Sequence, residues 1–167
     1  QDLAGNDLIV AALSLLAAPL AVVGLLDDRY NLPASWRYGV QLLTALLMLG
    51  FSSLVQPVGL YLASGSWLLL SAFGLLLIAV TAVINFTNFM DGLDGLVAGC
   101  MAVSIACLAT ALDAPWPLWA LVGSLLGFLL WNWSPAKVFM GDVGSTFLGA
   151  VFAGLVLQAS SWIEAFG

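Results

Sequence analysis

An all-α bundle of membrane-spanning helices is the fold this sequence predicts, and three observations carry the prediction. Hydrophobic residues fill 63% of the 167 positions and charged residues only 7%. The mean hydropathy is +1.12. Uncharged apolar runs, 8–26 and 38–90 among them, alternate with short clusters of Pro, Gly, Asn and Asp. A soluble core does not need so much apolar surface, whereas a bilayer span takes about 20 mostly apolar residues rising 1.5 Å each.

Six spans follow in order. The first, 7–26, is closed by Asp27-Asp28-Arg29, and the second, 37–55, by the break 56–65. The third, 66–84, ends on a polar cluster at 85–95; the fourth, 96–112, ends at Asp113 and Pro115. The fifth and sixth, 116–133 and 145–163, are separated by a Gly- and Pro-containing stretch at 134–144. Such spans leave no room for a soluble domain, so residues 1–167 read as one transmembrane domain. The chain opens on Gln1, lacks a basic n-region with a cleavage site, and reads as an internal fragment of a larger protein.

Alternation decides sidedness. The first, third and fifth breaks share a face, and they hold Asp27, Asp28, Asp91, Asp94 and Asp142, five of the nine acids. With their helix ends they also hold all three basic residues, Arg29, Arg37 and Lys137. By the positive-inside rule that face is cytoplasmic. The net charge of −6 is therefore local to these motifs, and it excludes nucleic acid as a partner. The opposite breaks, with Gln56, Ser64, Ser66 and Asp113, read as plain connections.

Trp67, Trp116, Trp119, Trp131, Trp133 and Trp162 lie near span ends, where an indole suits the headgroup level. Gly95 with Gly99, Gly123 with Gly127, and Gly149 with Ala153 are small pairs four apart, a spacing for close helix packing within the monomer or across a homodimer. Cys100 and Cys107 lie about 10 Å apart along one helix, out of disulfide reach, and read as buried small hydrophobes. With no His and no Cys pair at ligand spacing, zinc is excluded; a hard-metal oxygen site is not.

Three motifs carry the chemistry. In Gly24-Leu25-Leu26-Asp27-Asp28-Arg29 two adjacent carboxylates end a span, an arrangement eased by a bound metal or a nearby Arg. In the run from Asn85 to Asp94, Asn85, Asn88, Asp91 and Asp94 recur every third residue, which on a helix makes one polar stripe facing a shared cavity. Gly92 and Gly95 within it allow close approach of a ligand or backbone. The run lacks the alternate acids and terminal Glu of an EF-hand. The third motif runs from Asn132 through Pro135, Lys137, Phe139 and Asp142 to Ser145. Asp142, between glycines and just before a span, can offer one carboxylate to a metal while backbone N–H groups and Ser145 face an anion. Phe139 offers a flat face for a base, and Lys137 a point charge for phosphate. Magnesium takes one or two carboxylates plus substrate phosphates, so the inventory fits phosphoryl transfer.

Gly-Leu-Leu-Asp-Asp, Asn-x-x-Asn-Phe-Met-Asp-Gly-Leu-Asp-Gly-Leu and Pro-Ala-Lys-Val-Phe-Met-Gly-Asp-Val-Gly-Ser, in this order and spacing from Leu26 to Gly149, resemble the polyprenyl-phosphate sugar-1-phosphate transferase family. That family includes the phospho-MurNAc-pentapeptide translocase and the bacterial UDP-HexNAc:undecaprenyl-phosphate transferases. The resemblance implies a multi-pass enzyme of the bacterial inner membrane with its active-site loops in the cytoplasm. It would move a HexNAc-1-phosphate from a UDP-sugar to undecaprenyl phosphate, release UMP, use Mg2+ with Mn2+ as a substitute, and start a lipid-linked cell-envelope glycan.

By the same resemblance Asp142 is the metal ligand, Asp27 and Asp28 stand near the lipid phosphate and the reacting centre, and Asp91 shapes the diphosphate site with Asn88. Asp94 and Asn132 contact the uracil, Phe139 stacks on it, and Arg37 matches a basic residue that follows the acidic pair. The attacking phosphate monoester has a second pKa of about 6 and is mostly dianionic at pH 7, so no strong general base is required. Direct displacement, with Asp27 or Asp28 positioning, is favoured over a covalent aspartyl intermediate.

The resemblance implies a ten-span family, in which this chain looks like the third to the eighth spans. The early basic loop and the late His-containing loop, where sugar recognition largely resides, lie outside it, so these residues alone are expected to be inactive. Asn-Phe-Met-Asp and Ala-Lys-Val-Phe-Met-Gly-Asp lean towards the HexNAc-1-phosphate transferases rather than the phospho-MurNAc-pentapeptide enzymes, which favour Thr before the first Asp. The reading from another class is an ion-coupled transporter, which would scatter its acids through both membrane halves.

Overall fold

The computed structural model describes residues 3–52, 67–111 and 116–166, with side chains over 11–52, 67–111 and 116–159. Among the described residues the fold is all-helical: α1 Leu3–Tyr30, α2 Ala34–Phe51, α3 Trp67–Met90, α4 Leu96–Ala111, α5 Trp116–Asn132 and α6 Gly141–Phe166. The six expected spans each meet one helix. Three segments, Ala11–Tyr30, Trp67–Met90 and Gly141–Ala159, are long and apolar enough to cross a membrane by length and composition, and α4 and α5 are shorter apolar helices. The breaks at 56–65 and 113–115 and the side chain of Trp162 lie outside the described residues.

The helix ends differ from the expected ones in ways that matter. Apolarity stops at Leu26, but α1 continues through the acidic pair to Tyr30. It stops because Asn31 turns left-handed (φ 51°) and Pro33 opens the next helix. Helix α3 runs 24 residues, about 36 Å, which exceeds a hydrocarbon core of about 30 Å. Its last turns carry Asn85 and Asn88, which the expected span left outside it.

Helix α6 is the hub. It packs most extensively on α1 and α3; α2 bridges α1 and α3, and α4 pairs with α5 and touches α6. The core is built from Ala17, Leu20, Ala45, Met48, Leu49, Ile84, Ile105 and Ala150. Small side chains let backbones meet: a Cβ on Gly149 would lie 2.9 Å from Ile84 Cα. Within the chain, the expected packing at Gly99, Gly123 and Gly127 is not found, since none has a neighbour within 4 Å of where a Cβ would stand. Cys100 and Cys107 are free, as expected, yet exposed instead of buried. They sit on the outer side of α4, where a thiol beside lipid costs no more than one in a core. Much of the described exterior is of this kind: Leu15, Trp67, Leu68, Leu75, Ile78, Leu126 and Leu130 all point outwards. Five of the six tryptophans expected at span ends are likewise exposed.

Candidate active site

The first, third and fifth breaks converge, as their shared parity requires. At the foot of α1, Asp27 uses both carboxylate oxygens. Oδ1 accepts the Leu32 N–H at 2.7 Å, which closes the α1–α2 turn, and Oδ2 accepts from Arg37 at 2.9 Å. Its side chain is only 8% exposed, so the carboxylate is a nearly buried anchor for the guanidinium. The same Arg37 Nη1 reaches Asp142 Oδ2 at 3.4 Å, and this one cation ties α2 to both α1 and α6.

Asp142 stands in the first turn of α6. Gly141 precedes it at φ 64°, a conformation that favours glycine. Asn88, from the last turn of α3, donates to Asp142 Oδ1 at 2.7 Å and to Ser145 Oγ at 3.0 Å. Asp28 Oδ1 accepts the Asp142 N–H at 3.3 Å, and its other oxygen would sit 2.7 Å from a Cβ on Gly141. A carboxylate at a helix N-terminus is favoured by the exposed N–H groups there. Ser145, expected to face an anion, is instead fully buried: its hydroxyl donates to Gly141 O at 2.9 Å and accepts from Asn88.

Asp91 lies in the turn after α3, with its N–H on Asn88 O at 3.2 Å. Its carboxyl is pushed up to about 6, chiefly by burial and then by the charges of Asp142 and Asp28, while the Gly141 N–H acts in the opposite sense. This surplus of negative charge beside the guanidinium of Arg37 is the environment a divalent cation relieves. Among the described residues no three His, Cys, Asp or Glu are close enough to cage a metal. Asp142 with one neighbouring carboxylate would suit a hard cation that keeps water and takes further oxygens from a substrate.

The polar stripe expected from Asn85 to Asp94 divides in two, because the helix ends at Met90. Asn85 turns to α2, where its Nδ2 donates to Gln41 Oε1 at 2.7 Å and to Thr81 O at 2.9 Å. Asp94 turns the other way and accepts the Ala136 N–H at 3.0 Å. There Asn132, buried at 5% exposure, accepts the Gly95 N–H at 3.0 Å and donates to Val138 O at 2.9 Å. These contacts pin the 133–140 loop against the start of α4. Phe139 is left 70% exposed, and Lys137 Nζ lies 5.7 Å from the Trp131 ring centroid.

A groove of about 900 Å³ joins the site to the outside of the bundle between α1, α2 and α3. Arg37, Asn85, Asn88 and Asp142 line one part of it, and Leu20, Val23, Tyr38, Ala82, Phe86 and Phe89 much of the remainder, with Ser35 and Thr146. Gln41 and Gly24 also line it. Neither stood out in the sequence as functional, although a buried Gln one turn from Arg37 in an apolar span is a usable signal.

A glycosyl transferase family 4 model matches residues 10–160. The chain is 33% identical over 147 residues, 84% of its length and 41% of the other's, to a probable undecaprenyl-phosphate N-acetylglucosaminyl 1-phosphate transferase of Bacillus subtilis (strain 168). It is 33% identical over 162 residues, 86% and 42% of the two lengths, to the undecaprenyl-phosphate alpha-N-acetylglucosaminyl 1-phosphate transferase of Escherichia coli O157:H7. Over 105 residues, 59% and 30% of the two lengths, it is 46% identical to a phospho-N-acetylmuramoyl-pentapeptide-transferase of Desulforudis audaxviator (strain MP104C). The chain thus spans about two-fifths or less of the length of these curated relatives.

Proposed function

Because the chain belongs to glycosyl transferase family 4, we propose that it forms part of a bacterial inner-membrane enzyme that transfers a HexNAc-1-phosphate from a UDP-sugar to undecaprenyl phosphate and releases UMP. The observation that carries this reading is Asp142, held between Asn88 and Arg37 beside Asp27 and Asp28, at the head of a groove whose remaining walls are mostly apolar. A polar head with an apolar tail beyond it is the shape of a polyprenyl phosphate.

In this reading the lipid phosphate lies in the groove near Arg37, whose charge attracts it and whose ties to Asp27 and Asp142 set its height. The diphosphate of the sugar nucleotide lies on the other side of Asp142, towards Asp91 and Asn88. Uracil stacks on Phe139, and Asn132 and Asp94 contribute by holding that ring's loop in place. Lys137 adds charge at the loop surface. A lipid phosphate oxygen attacks the sugar-linked phosphorus, the bond from that phosphorus to the bridging oxygen breaks, and UMP departs. Asp142, with Asp28 or Asp91, would hold Mg2+, which when bound would neutralise charge developing on the phosphates. Asp27 has both oxygens engaged and serves as a positioning group, in keeping with a nucleophile that is already ionised.

The two matches that cover most of this chain favour an N-acetylhexosamine substrate. The higher identity over a shorter stretch supports phospho-MurNAc-pentapeptide as the second reading. The test uses the full-length protein in lipid nanodiscs with undecaprenyl phosphate and Mg2+, and measures UMP released from UDP-GlcNAc or UDP-MurNAc-pentapeptide. UMP from the first donor, abolished by Asp142→Asn, supports the proposal. Release from the second alone moves the enzyme to peptidoglycan synthesis, and release from neither overturns the reading.

A further inference from the structure

Gly24 has no functional group, yet it lies against the most constrained backbone of the site. A Cβ built there would stand 2.6 Å from Asp142 C, 2.6 Å from Val143 N and 2.7 Å from Asp142 O. All three are main-chain atoms in the first turn of α6, so no rotamer change could make room. Restoring ordinary contact at about 3.5 Å requires α1 and the head of α6 to separate by about 1 Å.

Two links from Asp142 to its neighbours have no slack for that movement. Arg37 Nη1 to Asp142 Oδ2 is already 3.4 Å, and the Asp142 N–H to Asp28 Oδ1 is 3.3 Å. Both stand at the outer limit of hydrogen bonding and weaken steeply beyond it. The link between Asn88 and Asp142, at 2.7 Å, joins α3 to α6 and does not depend on α1. A wider gap would therefore leave Asp142 on α3 while Asp27 and Asp28 withdrew with α1. The loop that carries Phe139 is pinned by Asn132 and Asp94 and would stay in place.

We infer that Gly24 is a positioning residue that fixes the separation between the Asp27–Asp28 pair and Asp142. Resting on the phosphotransfer reading above, this makes it the spacer between the acceptor side and the donor side of the reacting phosphates. A misplacement of about 1 Å at such a centre costs on the order of 100-fold in rate.

The experiment compares Gly24→Ala with Gly149→Ala and Gly39→Ala in the full-length protein in nanodiscs. Gly149 is also crowded, though less tightly, at 2.9 Å from Ile84 and 3.1 Å from Thr87, away from the acids, and Gly39 has no neighbour within 4 Å. Gly24→Ala is expected to lower kcat by about 100-fold with KM for both substrates and UDP-sugar binding little changed. Gly149→Ala is expected to lower the melting temperature without that kcat-against-KM split, and Gly39→Ala to lower neither. A thermal-melting cycle provides a readout independent of activity: Arg37→Lys should cost stability in the parent protein and little more once Gly24→Ala is present. Additive melting effects, a raised acceptor KM with kcat preserved, or joint loss of nucleotide binding and turnover would each overturn the inference. Failure of the unmutated protein to bind or turn over any UDP-sugar would instead sink the functional reading, and the melting cycle would still decide the role of Gly24.

Discussion

The Asn88 side chain donates to Asp142 at 2.7 Å, and this one carboxamide joins the last turn of α3 to the first turn of α6. It also donates to the buried Ser145 hydroxyl, so the amide orients the carboxylate and the turn that bears it at once. Asn88→Ala should destabilise the fold by about 1–2 kcal/mol, through the lost bonds and an under-satisfied Ser145. Asn88→Asp should be worse in metal-free protein, because it sets a second carboxylate against Asp142. Thermal melting in EDTA checks the order. Added Mg2+ is expected to recover more of the Asp variant's loss than of the Ala variant's.

Arg37 serves Asp27 and Asp142 through a single nitrogen. Removing it leaves Asp27 nearly buried, with only the Leu32 N–H for a partner. A fully buried pair broken this way costs about 3–5 kcal/mol, but Arg37 is 40% exposed, so Arg37→Ala should cost about 1–2 kcal/mol. Arg37→Lys should recover the share that rests on Asp27 but not the share that rests on Asp142, and little of the activity. An ammonium is a point charge that can sit on Asp27, yet it cannot present the guanidinium's remaining N–H groups to the groove. Melting curves beside UMP-release rates separate the two effects.

Asp91 predicts a pH dependence for the metal-free protein. Its folded value of about 6 lies above the ordinary 3.8, so between the two the folded chain holds a proton that the unfolded chain has lost. Stability from this group is full below about 3.8 and falls as pH rises through about 6. Asp91→Asn should flatten that fall and raise the melting temperature at pH 7.5 in EDTA. A slope in the same window that persists in the variant would assign it to another group.

The sequence revealed the bundle and the face on which the chemistry sits, because both depend on properties that local composition records. Runs of apolar residues mark helices, and the parity of spans puts Asp27, Asp91 and Asp142 on one side whatever the details of packing. Where each helix ended was less legible. Hydropathy falls at Leu26 and Ile84, but backbone hydrogen bonding carries α1 to Tyr30 and α3 to Met90, since an α-helix in a membrane protein continues into the interface. That difference separated Asn85 from Asp94, which a regular three-residue spacing had placed on one stripe. Gly24 was illegible as a site residue for another reason: its role lies in which backbone stands opposite, and spacing along one helix does not contain that.

The loop from 133 to 140 offers the cleanest separation of structure from recognition. Asn132 is buried and spends its carboxamide on Gly95 N and Val138 O, whereas Phe139 is held out into open space. Asn132→Ala should cost about 1–3 kcal/mol of stability by leaving both backbone groups without their partner, and nucleotide affinity should fall with it. Phe139→Ala should change stability by no more than about 0.5 kcal/mol, since an exposed ring supports little packing. Base-on-aromatic stacking is worth about 1–3 kcal/mol, so the same substitution should weaken UDP-sugar binding by roughly 5- to 150-fold. Phe139→Trp should retain it. Calorimetric titration of the full-length protein with UDP-GlcNAc, paired with melting of each variant, checks all three, and a Phe139→Ala protein that bound normally would remove the ring from the nucleotide pocket.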